Sequence, residues 1–90
     1  MLNKNPLVSV IMNCHNGEKF LKESINSLMS QTYKNWELIF WDNKSFDNSK
    51  KIIKKFKDKR IKYFKSEKFR NLYHSRNLAI KKAKGKYIGF

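Results

Sequence analysis

The chain has 90 residues, enough for one small domain, and a composition with 40% hydrophobic and 14% aromatic residues excludes an intrinsically disordered protein. Its 21 basic and 7 acidic residues give a net charge of +14, and its single cysteine excludes an intrachain disulfide and a cysteine-built zinc site. No apolar run approaches the roughly 18 residues of a transmembrane helix, so we expect a cytoplasmic protein that is soluble or held peripherally at the inner membrane face by its charge.

Segments with strand and helix patterns alternate along the chain. The predicted elements are strand 7–12, helix 18–31, strand 36–41, helix 48–56, strand 61–64, helix 72–84 and strand 86–90. The first two strands are short and almost continuously apolar, which is typical of strands covered on both faces. The alternation predicts an α/β fold with a Rossmann-like parallel sheet in three α/β/α layers, the first strand central and the third near an edge.

Helix faces and helix ends can be assigned to individual residues. The helical period places Phe20 on the buried face of the first helix and Leu72 on the buried face of the third. Ser45 and Asp47 are predicted to cap the second helix. Gly85 is predicted to take the left-handed conformation that commonly follows the end of a helix.

Most of the positive charge comes from lysines that are spread through the helical segments and loops. Lysine is a strongly hydrated point charge, whereas arginine is the usual reader of bases and phosphates. The pattern is typical of a solvated surface. Attraction to an anionic membrane or to a phosphorylated ligand is the alternative, and nucleic acid is the weakest of the three.

Polar residues cluster in the loops that follow the first two strands, residues 13–17 and residues 42–47. Because neighbouring parallel strands end at the same edge of a sheet, we expect these loops to face each other. The ring of His15 can then stack on a base, and Asp42 and Asn43 can hydrogen-bond to the imide edge of a base or to a ribose hydroxyl. Each residue alone also fits a turn, a cap or the core, so the prediction depends on the group.

Other nucleotide sites and metal sites have little support. The sequence contains neither the glycine-rich dinucleotide fingerprint nor a Walker loop. His15 and His74 are far apart, and no carboxylate pair accompanies either of them. No metal site is therefore predicted within this chain.

Four stretches, read together, carry a resemblance to a known family. They are residues 8–16, residues 27–33, residues 36–47, which resemble Glu-Ile-Ile-Val-Val-Asp-Asp-Gly-Ser-Thr-Asp, and residues 75–90, which resemble Ala-Arg-Asn followed by Gly-Glu-Tyr-Ile-Ala-Phe. In order and spacing, residues 7–90 resemble the N-terminal portion of the family 2 glycosyltransferases, inverting enzymes with a nucleotide-diphospho-sugar donor. The resemblance implies the N-terminal part of a glycosyltransferase A-type fold.

The resemblance implies roles for five residues. Asn13 and His15 occupy positions that contact the base of the donor. Asp42 and Asn43 occupy an acidic pair that holds the nucleoside, and Arg76 falls on an arginine near the donor phosphates. His15 stands where the family often has tyrosine, and Asn43 replaces an acidic residue and gains a hydrogen-bond donor. The choice of base therefore stays open.

The resemblance also implies groups that the 90 residues do not contain. Family members follow the fourth strand with an Asp-x-Asp motif that binds a divalent cation, Mg²⁺ or Mn²⁺, which neutralises the leaving diphosphate. Their general base lies later still. We therefore expect residues 1–90 to form a single truncated domain that binds the donor but cannot by itself transfer a sugar to a glycan, lipid or protein acceptor.

Two other functions stay open on the sequence alone. One is a non-catalytic nucleotide-binding remnant of the same fold. The other is a basic nucleic-acid-binding domain, which the charge and the aromatic residues Phe69, Tyr73 and Tyr87 suggest. We expect no nucleic-acid partner, because arginine is scarce, no known module is present and most aromatic residues fall on core-facing positions.

Overall fold

The computed structural model describes residues 5–90, so the first four residues of the predicted domain 1–90 lie outside the described residues. The elements are β1 (Val8–Cys14), α1 (Glu18–Met29), β2 (Trp36–Asp42), α2 (Ser49–Lys55), β3 (Ile61–Lys65), α3 (Leu72–Ile80) and β4 (Tyr87–Gly89). All seven predicted elements are confirmed. None of the three helices in this part of the chain has the length and apolar character to cross a membrane.

The four strands form one parallel sheet in the order β3-β2-β1-β4, which confirms that β1 is interior and β3 lies at an edge. The most buried strand is nevertheless β2, because all seven of its residues are buried. β1 and β2 pair in register from Val8 opposite Trp36 to Cys14 opposite Asp42. Both strands therefore end at the same level, and their loops leave the sheet side by side.

Helices cover both faces of the sheet, which confirms the three-layer prediction. Since successive residues of a strand point to opposite faces, β1 and β2 feed two separate apolar clusters. On one face, α1 and α2 pack on the sheet, with Leu21 and Phe40 at the centre. On the other face, α3 packs through Ala79 against Ile11 and Ile39. The small side chain of Ala79 leaves room for α3 to lie close to the strands.

α3 ends earlier than predicted, at Ile80 rather than at residue 84. The amide of Lys82 donates to the carbonyl of Ala79 at 2.9 Å and the amide of Ala83 donates to that of Ile80 at 3.0 Å, so a tight turn replaces the last helical turn. The predicted left-handed conformation of Gly85 is wrong, since no glycine within residues 5–90 has a positive φ. A close contact with β1 explains this glycine instead.

Several large apolar side chains face solvent, contrary to the predicted helix faces. Phe20 in α1 is 70% exposed and Leu72 in α3 is 58% exposed. Both lie in the first turn of their helices, beside the strand exits, where the sheet gives way to loops. The expectation that most aromatic residues face the core is also wrong, because seven of the thirteen are exposed.

Candidate functional site

The loops after β1 and β2 are hydrogen-bonded into one unit at the carboxyl edge of the sheet. The amide of Asn43 donates to the carbonyl of Cys14 at 2.7 Å, directly beyond the paired strand ends. Further out, the amide of Asn16 donates to Ser45 Oγ at 3.0 Å, and the amide of Phe46 donates to Asn16 Oδ1 at 2.7 Å. The predicted convergence of the two loops is confirmed.

Asp47 joins the starts of two helices, whereas Ser45 does not act as a cap. One oxygen of the Asp47 carboxylate accepts from the amide of Ser49 at 2.9 Å, and the other accepts from the amide of Glu18 at 3.1 Å. Burial alone would raise the pKa of this carboxyl, but these hydrogen bonds lower it below its ordinary value. The N-cap position of α2 is Asn48 rather than Asp47, and Asp47 bonds the first helical amide from one position earlier. The predicted capping role of Ser45 is wrong, because its hydroxyl accepts from the amide of Asn16 in the other loop.

A tight turn after β2 is built around Asp42, whose side chain is buried. One carboxylate oxygen accepts from the amide of Ser45 at 2.9 Å, and the other accepts from the hydroxyl of Tyr63 at 2.5 Å. Burial and the adjacent carboxylate raise the pKa of Tyr63, so the phenol keeps its proton and remains a donor. Between Asp42 and Ser45, the backbone of Lys44 has a φ of 55°, in the left-handed region. Glycine adopts this region most readily, which explains why the family's motif has glycine at this position.

Asn43 connects this turn to the loop that precedes α3. Its Nδ2 donates to the carbonyl of Arg70 at 2.6 Å, and its Oδ1 accepts from the amide of Arg70 at 2.9 Å. Only an amide side chain makes both bonds, because a carboxylate has no N–H to offer. The two bonds to the backbone of Arg70 thus explain why position 43 has asparagine where the family has an acidic residue.

Changing Asn43 to aspartate is expected to lower the free energy of unfolding by about 1–3 kcal/mol, although it restores the family's residue. The new carboxylate oxygen would face the carbonyl of Arg70, where a donor stood before. Urea denaturation measures the change. The control is Asn26→Asp on the exposed face of α1, for which we expect a change within about 0.5 kcal/mol. Equal losses in both variants would contradict this account of Asn43.

A cavity of about 210 Å³ lies between the two strand exits and the start of α3. Its lining residues are Asn13, Cys14, His15, Asn43, Phe69, Arg70, Leu72 and Ser75. The rings of His15 and Phe69 lie 4.6 Å apart at an angle of 69°, in an edge-to-face arrangement. His15 Nδ1 lies 2.7 Å from the carbonyl oxygen of Asn43, so Nδ1 carries a proton and this bond fixes the ring. The two rings, packed edge-to-face, form an aromatic border of the cavity.

Three buried polar atoms of residues that line this cavity have no hydrogen-bond partner within the described residues. They are Asn13 Oδ1, Arg70 Nε and Ser75 Oγ. Within residues 5–90 only six buried side-chain nitrogen or oxygen atoms lack a partner, so half of them belong to one small cavity. Buried polar groups in folded proteins are nearly always paired. All three atoms are closed off from solvent.

The structure brings together some of the predicted site residues and separates others. Asn13, His15 and Asn43 line the cavity, whereas Asp42 does not line it and has both carboxylate oxygens bonded to the protein. Arg76 does not line the cavity; its guanidinium lies over the ring of Phe90, 4.8 Å from the centroid.

Sequence reasoning missed Phe69, Arg70 and Ser75. Phe69 and Arg70 belong to a loop that showed no motif, and they reach the cavity through the bonds between Arg70 and Asn43. Ser75 carried one usable signal, because it stands where the family's Ala-Arg-Asn stretch has alanine. A polar residue in place of an apolar one on a buried helix face indicates a position to inspect.

No metal centre is evident in the part of the chain that the structure describes. No group of three or more His, Cys, Asp or Glu side chains among residues 5–90 lies close enough to hold a metal ion. The carboxylate oxygens of Asp42 and Asp47 are bonded to amides and to a hydroxyl.

The comparisons with known proteins agree with this architecture. A family profile described as Glycosyl transferase family 2 matches residues 9–90. The chain belongs to this family. The profile begins within β1 and covers all of the described helices and strands from that point onward.

Two curated relatives of this family 2 chain are similar over nearly its whole length. It is 42% identical over 84 residues to the Escherichia coli UDP-Glc:alpha-D-GlcNAc-diphosphoundecaprenol beta-1,3-glucosyltransferase WfgD, a match that covers 93% of this chain and 33% of that protein. It is 32% identical over 92 residues to the Bacillus subtilis putative teichuronic acid biosynthesis glycosyltransferase TuaG, covering 100% of this chain and 36% of that protein. The chain thus spans about one third of the length of these relatives.

Two solved structures share the fold. S. aureus TarS in complex with UDP-GlcNAc matches with a TM-score of 0.82 and 30% identity, over 90% of this chain and 24% of that chain. The mannosyltransferase PcManGT from Pyrobaculum calidifontis, in complex with GDP-Man and Mn²⁺, matches with a TM-score of 0.87 and 20% identity, over 96% of this chain and 27% of that chain. The predicted glycosyltransferase A-type fold is confirmed.

Proposed function

We propose that this chain is the donor-binding portion of an inverting glycosyltransferase, and that the 210 Å³ cavity receives the base of a nucleotide-diphospho-sugar. The observation that carries the proposal is the convergence of the two strand-exit loops on a cavity that is bordered by the rings of His15 and Phe69. A nucleoside base has a flat face that can stack on one of these rings. TarS, at 30% identity, was solved with UDP-GlcNAc, and the name of WfgD includes UDP-Glc.

In this proposal each predicted residue has a distinct task. Asn13 and His15 contact the base directly. Asn43 holds the loop that carries Phe69 over the cavity, and Asp42 shapes the turn beneath it. Arg76 serves the donor phosphates from the outer side of α3, as its place in the family's motif implies.

The reaction would be a displacement in which an acceptor hydroxyl attacks the anomeric carbon and the nucleoside diphosphate leaves. A divalent cation, Mg²⁺ or Mn²⁺, would neutralise the charge on the leaving diphosphate. PcManGT, which shares the fold, was solved with Mn²⁺. Because residues 5–90 hold no suitable group of ligands, the proposal assigns the cation and the general base to other parts of the full-length enzyme. We expect the 90 residues alone to bind the donor without transferring sugar.

The acceptor in this proposal is a glycan or a lipid-linked sugar of polysaccharide biosynthesis, at the cytoplasmic face of a membrane. Two relatives support it, since the name of WfgD includes a diphosphoundecaprenol acceptor and that of TuaG includes teichuronic acid biosynthesis. The net charge of +14 would favour peripheral contact with anionic lipid. Nucleic acid is not part of the proposal.

Replacing Phe69 with alanine is expected to weaken the binding of a nucleoside diphosphate about tenfold, because it removes one aromatic border of the base site. Calorimetric titration of the 90-residue chain with UDP and with GDP measures the affinities. Nuclear magnetic resonance of the labelled chain should show shifts confined to the residues around the cavity.

The matched control is Tyr73→Ala, because Tyr73 is another exposed aromatic residue, at the start of α3, that does not line the cavity. Its affinity should remain unchanged. If neither nucleotide binds the folded chain, or if both variants lose affinity equally, the proposed base site is wrong.

A further inference from the structure

Two large aromatic side chains lie exposed beside each other at the carboxyl edge of the sheet. Phe20, in the first turn of α1, is 70% exposed, and Phe46, in the loop before α2, is 78% exposed. Both line one hollow of about 410 Å³. The amide of Phe46 donates to Asn16 Oδ1 at 2.7 Å, so the loop that presents this ring is anchored. Exposed apolar side chains that cluster in this way are typical of a surface that meets a partner.

The hollow continues into a groove between α1 and α2. The groove has a volume of about 480 Å³ and shares Glu18 and Lys19 with the hollow. The rest of its lining consists of two lysines and two apolar residues, Lys22, Lys55, Ile52 and Phe56. We call the residues of the hollow and the groove the α1–α2 surface. It combines exposed aromatic rings with an apolar groove bordered by lysines.

The helices beside this surface are rich in positive charge. The seven residues of α2 (Ser49–Lys55) include no acidic residue and four exposed lysines, which are Lys50, Lys51, Lys54 and Lys55. Lys19 and Lys22 add two more from α1. Asp47, an acidic residue of the hollow, has both carboxylate oxygens bound by helix amides. Clusters of roughly four to eight basic residues on a helix surface are typical of binding to anionic lipid.

We infer that the α1–α2 surface docks on an anionic lipid bilayer, with Phe20 and Phe46 inserted among the headgroups and the lysines at the lipid phosphates. The inference rests on the proposed function, which includes peripheral contact with lipid, and it assigns that contact to one face of the fold. Phenylalanine enters the boundary between headgroups and acyl chains, while lysine stems lie along apolar surface with their ammonium groups in the polar layer. A protein partner fits less well, because lysine is depleted from protein–protein interfaces.

Docking in this orientation brings the candidate site close to the membrane. The ring of Phe46 lies 6.4 Å from that of His15 in an edge-to-face arrangement, and His15 lines the 210 Å³ cavity. An acceptor that is linked to lipid would then meet the enzyme beside the proposed donor cavity.

The test measures co-sedimentation of the 90-residue chain with vesicles in the absence of nucleotide. One set of vesicles is phosphatidylcholine alone, and the other is an equimolar mixture of phosphatidylcholine and phosphatidylglycerol. We expect the chain to bind the anionic vesicles and not the neutral ones. The decisive variant changes three lysines of the surface to glutamine, namely Lys19, Lys22 and Lys55. We expect it to bind the anionic vesicles about a hundredfold more weakly, because each lysine near such a membrane strengthens binding about fivefold.

The matched control changes three other exposed lysines to glutamine, namely Lys81, Lys82 and Lys84. They follow the last residue of α3, which packs on the opposite face of the sheet. Both triple variants have the same net charge, so a difference between them reports on the surface and not on the total charge. The control should lose no more than about threefold, because salt screens charges beyond about 8–10 Å and the sheet separates these lysines from the bilayer.

Insertion is measured by a second experiment. Phe46→Trp places a fluorescent reporter on the surface, and Tyr73→Trp places one at an exposed aromatic position of α3 as the control. Brominated lipid in the anionic vesicles should quench the reporter at position 46 and leave the reporter at position 73 unquenched. The protein's own Trp36 and Trp41 are buried and give the same background in both variants.

The outcomes separate this inference from the proposed function. Absence of binding to either kind of vesicle, equal binding to both, equal losses in the two folded triple variants, or equal quenching at positions 46 and 73 overturns the inference and leaves the proposed donor site in place. Circular dichroism shows whether the triple variants are folded, and the wild-type and quenching measurements test the inference without them. Failure of UDP and GDP to bind overturns the donor site and leaves the result with vesicles unchanged.

Discussion

Replacing Gly85 with alanine is expected to lower the free energy of unfolding by about 3 kcal/mol, although Gly85 lies in a bend outside the helices and strands. A Cβ atom at this position would lie 2.5 Å from Ser9 Oγ, 2.7 Å from the backbone nitrogen of Ser9 and 2.8 Å from the carbonyl oxygen of Leu7. Two of these three atoms belong to the backbone at the start of β1. They can move only if the strand moves, so the added methyl group must separate β1 from the segment that leads into β4.

The control for this variant is Gly89→Ala, because a Cβ atom there would have no other atom within 4 Å. The same chemical change should alter the free energy of unfolding by no more than about 0.5 kcal/mol. Urea denaturation of both variants measures the difference. A Gly85→Ala variant as stable as Gly89→Ala would show that the close contact does not constrain the fold.

Replacing Glu37 with leucine is also expected to cost about 3 kcal/mol, although it places an apolar side chain in a buried strand. One carboxylate oxygen of Glu37 accepts from Ser9 Oγ and from the amide of Lys84, both at 2.6 Å. The other lies 3.4 Å from Lys62 Nζ. Leucine would leave the hydroxyl of Ser9 and the amide of Lys84 without their partner. Glu23→Leu, an exposed position on α1, is the control and should change stability by no more than about 0.5 kcal/mol.

The pH dependence of stability gives a second measurement on Glu37. Burial alone would raise the pKa of this carboxyl, but hydrogen bonds from Ser9 and Lys84 and the charge of Lys62 lower it below its ordinary value of 4.5. The carboxylate therefore stabilises the fold fully above the pKa of the unfolded chain, and this contribution disappears as the pH falls through the lower pKa of the folded chain. Glu37→Gln should flatten the acid side of the stability profile. An unchanged acid slope in that variant would contradict the assignment.

These two predictions concern the same junction. The hydroxyl of Ser9 accepts from the amide of Gly85 at 2.7 Å and donates to the carboxylate of Glu37. It thereby links β1, β2 and the segment before β4. Because the two sites share a partner, the losses in the double variant should not add.

The sequence by itself determined the helices and strands, the parallel α/β class and the half of the candidate site that lies on the strand exits. Apolar runs of strand length alternate with helical periodicity, and these are local properties of the chain. Asn13, His15 and Asn43 could be predicted to meet because neighbouring parallel strands end at one edge, a rule that needs only the order of the elements.

Only the tertiary structure decided which other side chains line the candidate site and which residues the close packing requires. Arg70 is 27 positions from the Asn43 side chain that holds it, and Gly85 is 76 positions from the Ser9 hydroxyl that it contacts. Periodicity also placed Leu72 on a buried face, whereas the folded chain leaves its side chain 58% exposed. A pattern along the chain states which way a residue points on its own element. What lies opposite is set by how separate elements pack, and so the unpaired hydroxyl of Ser75 became visible only once α3 was placed against β1.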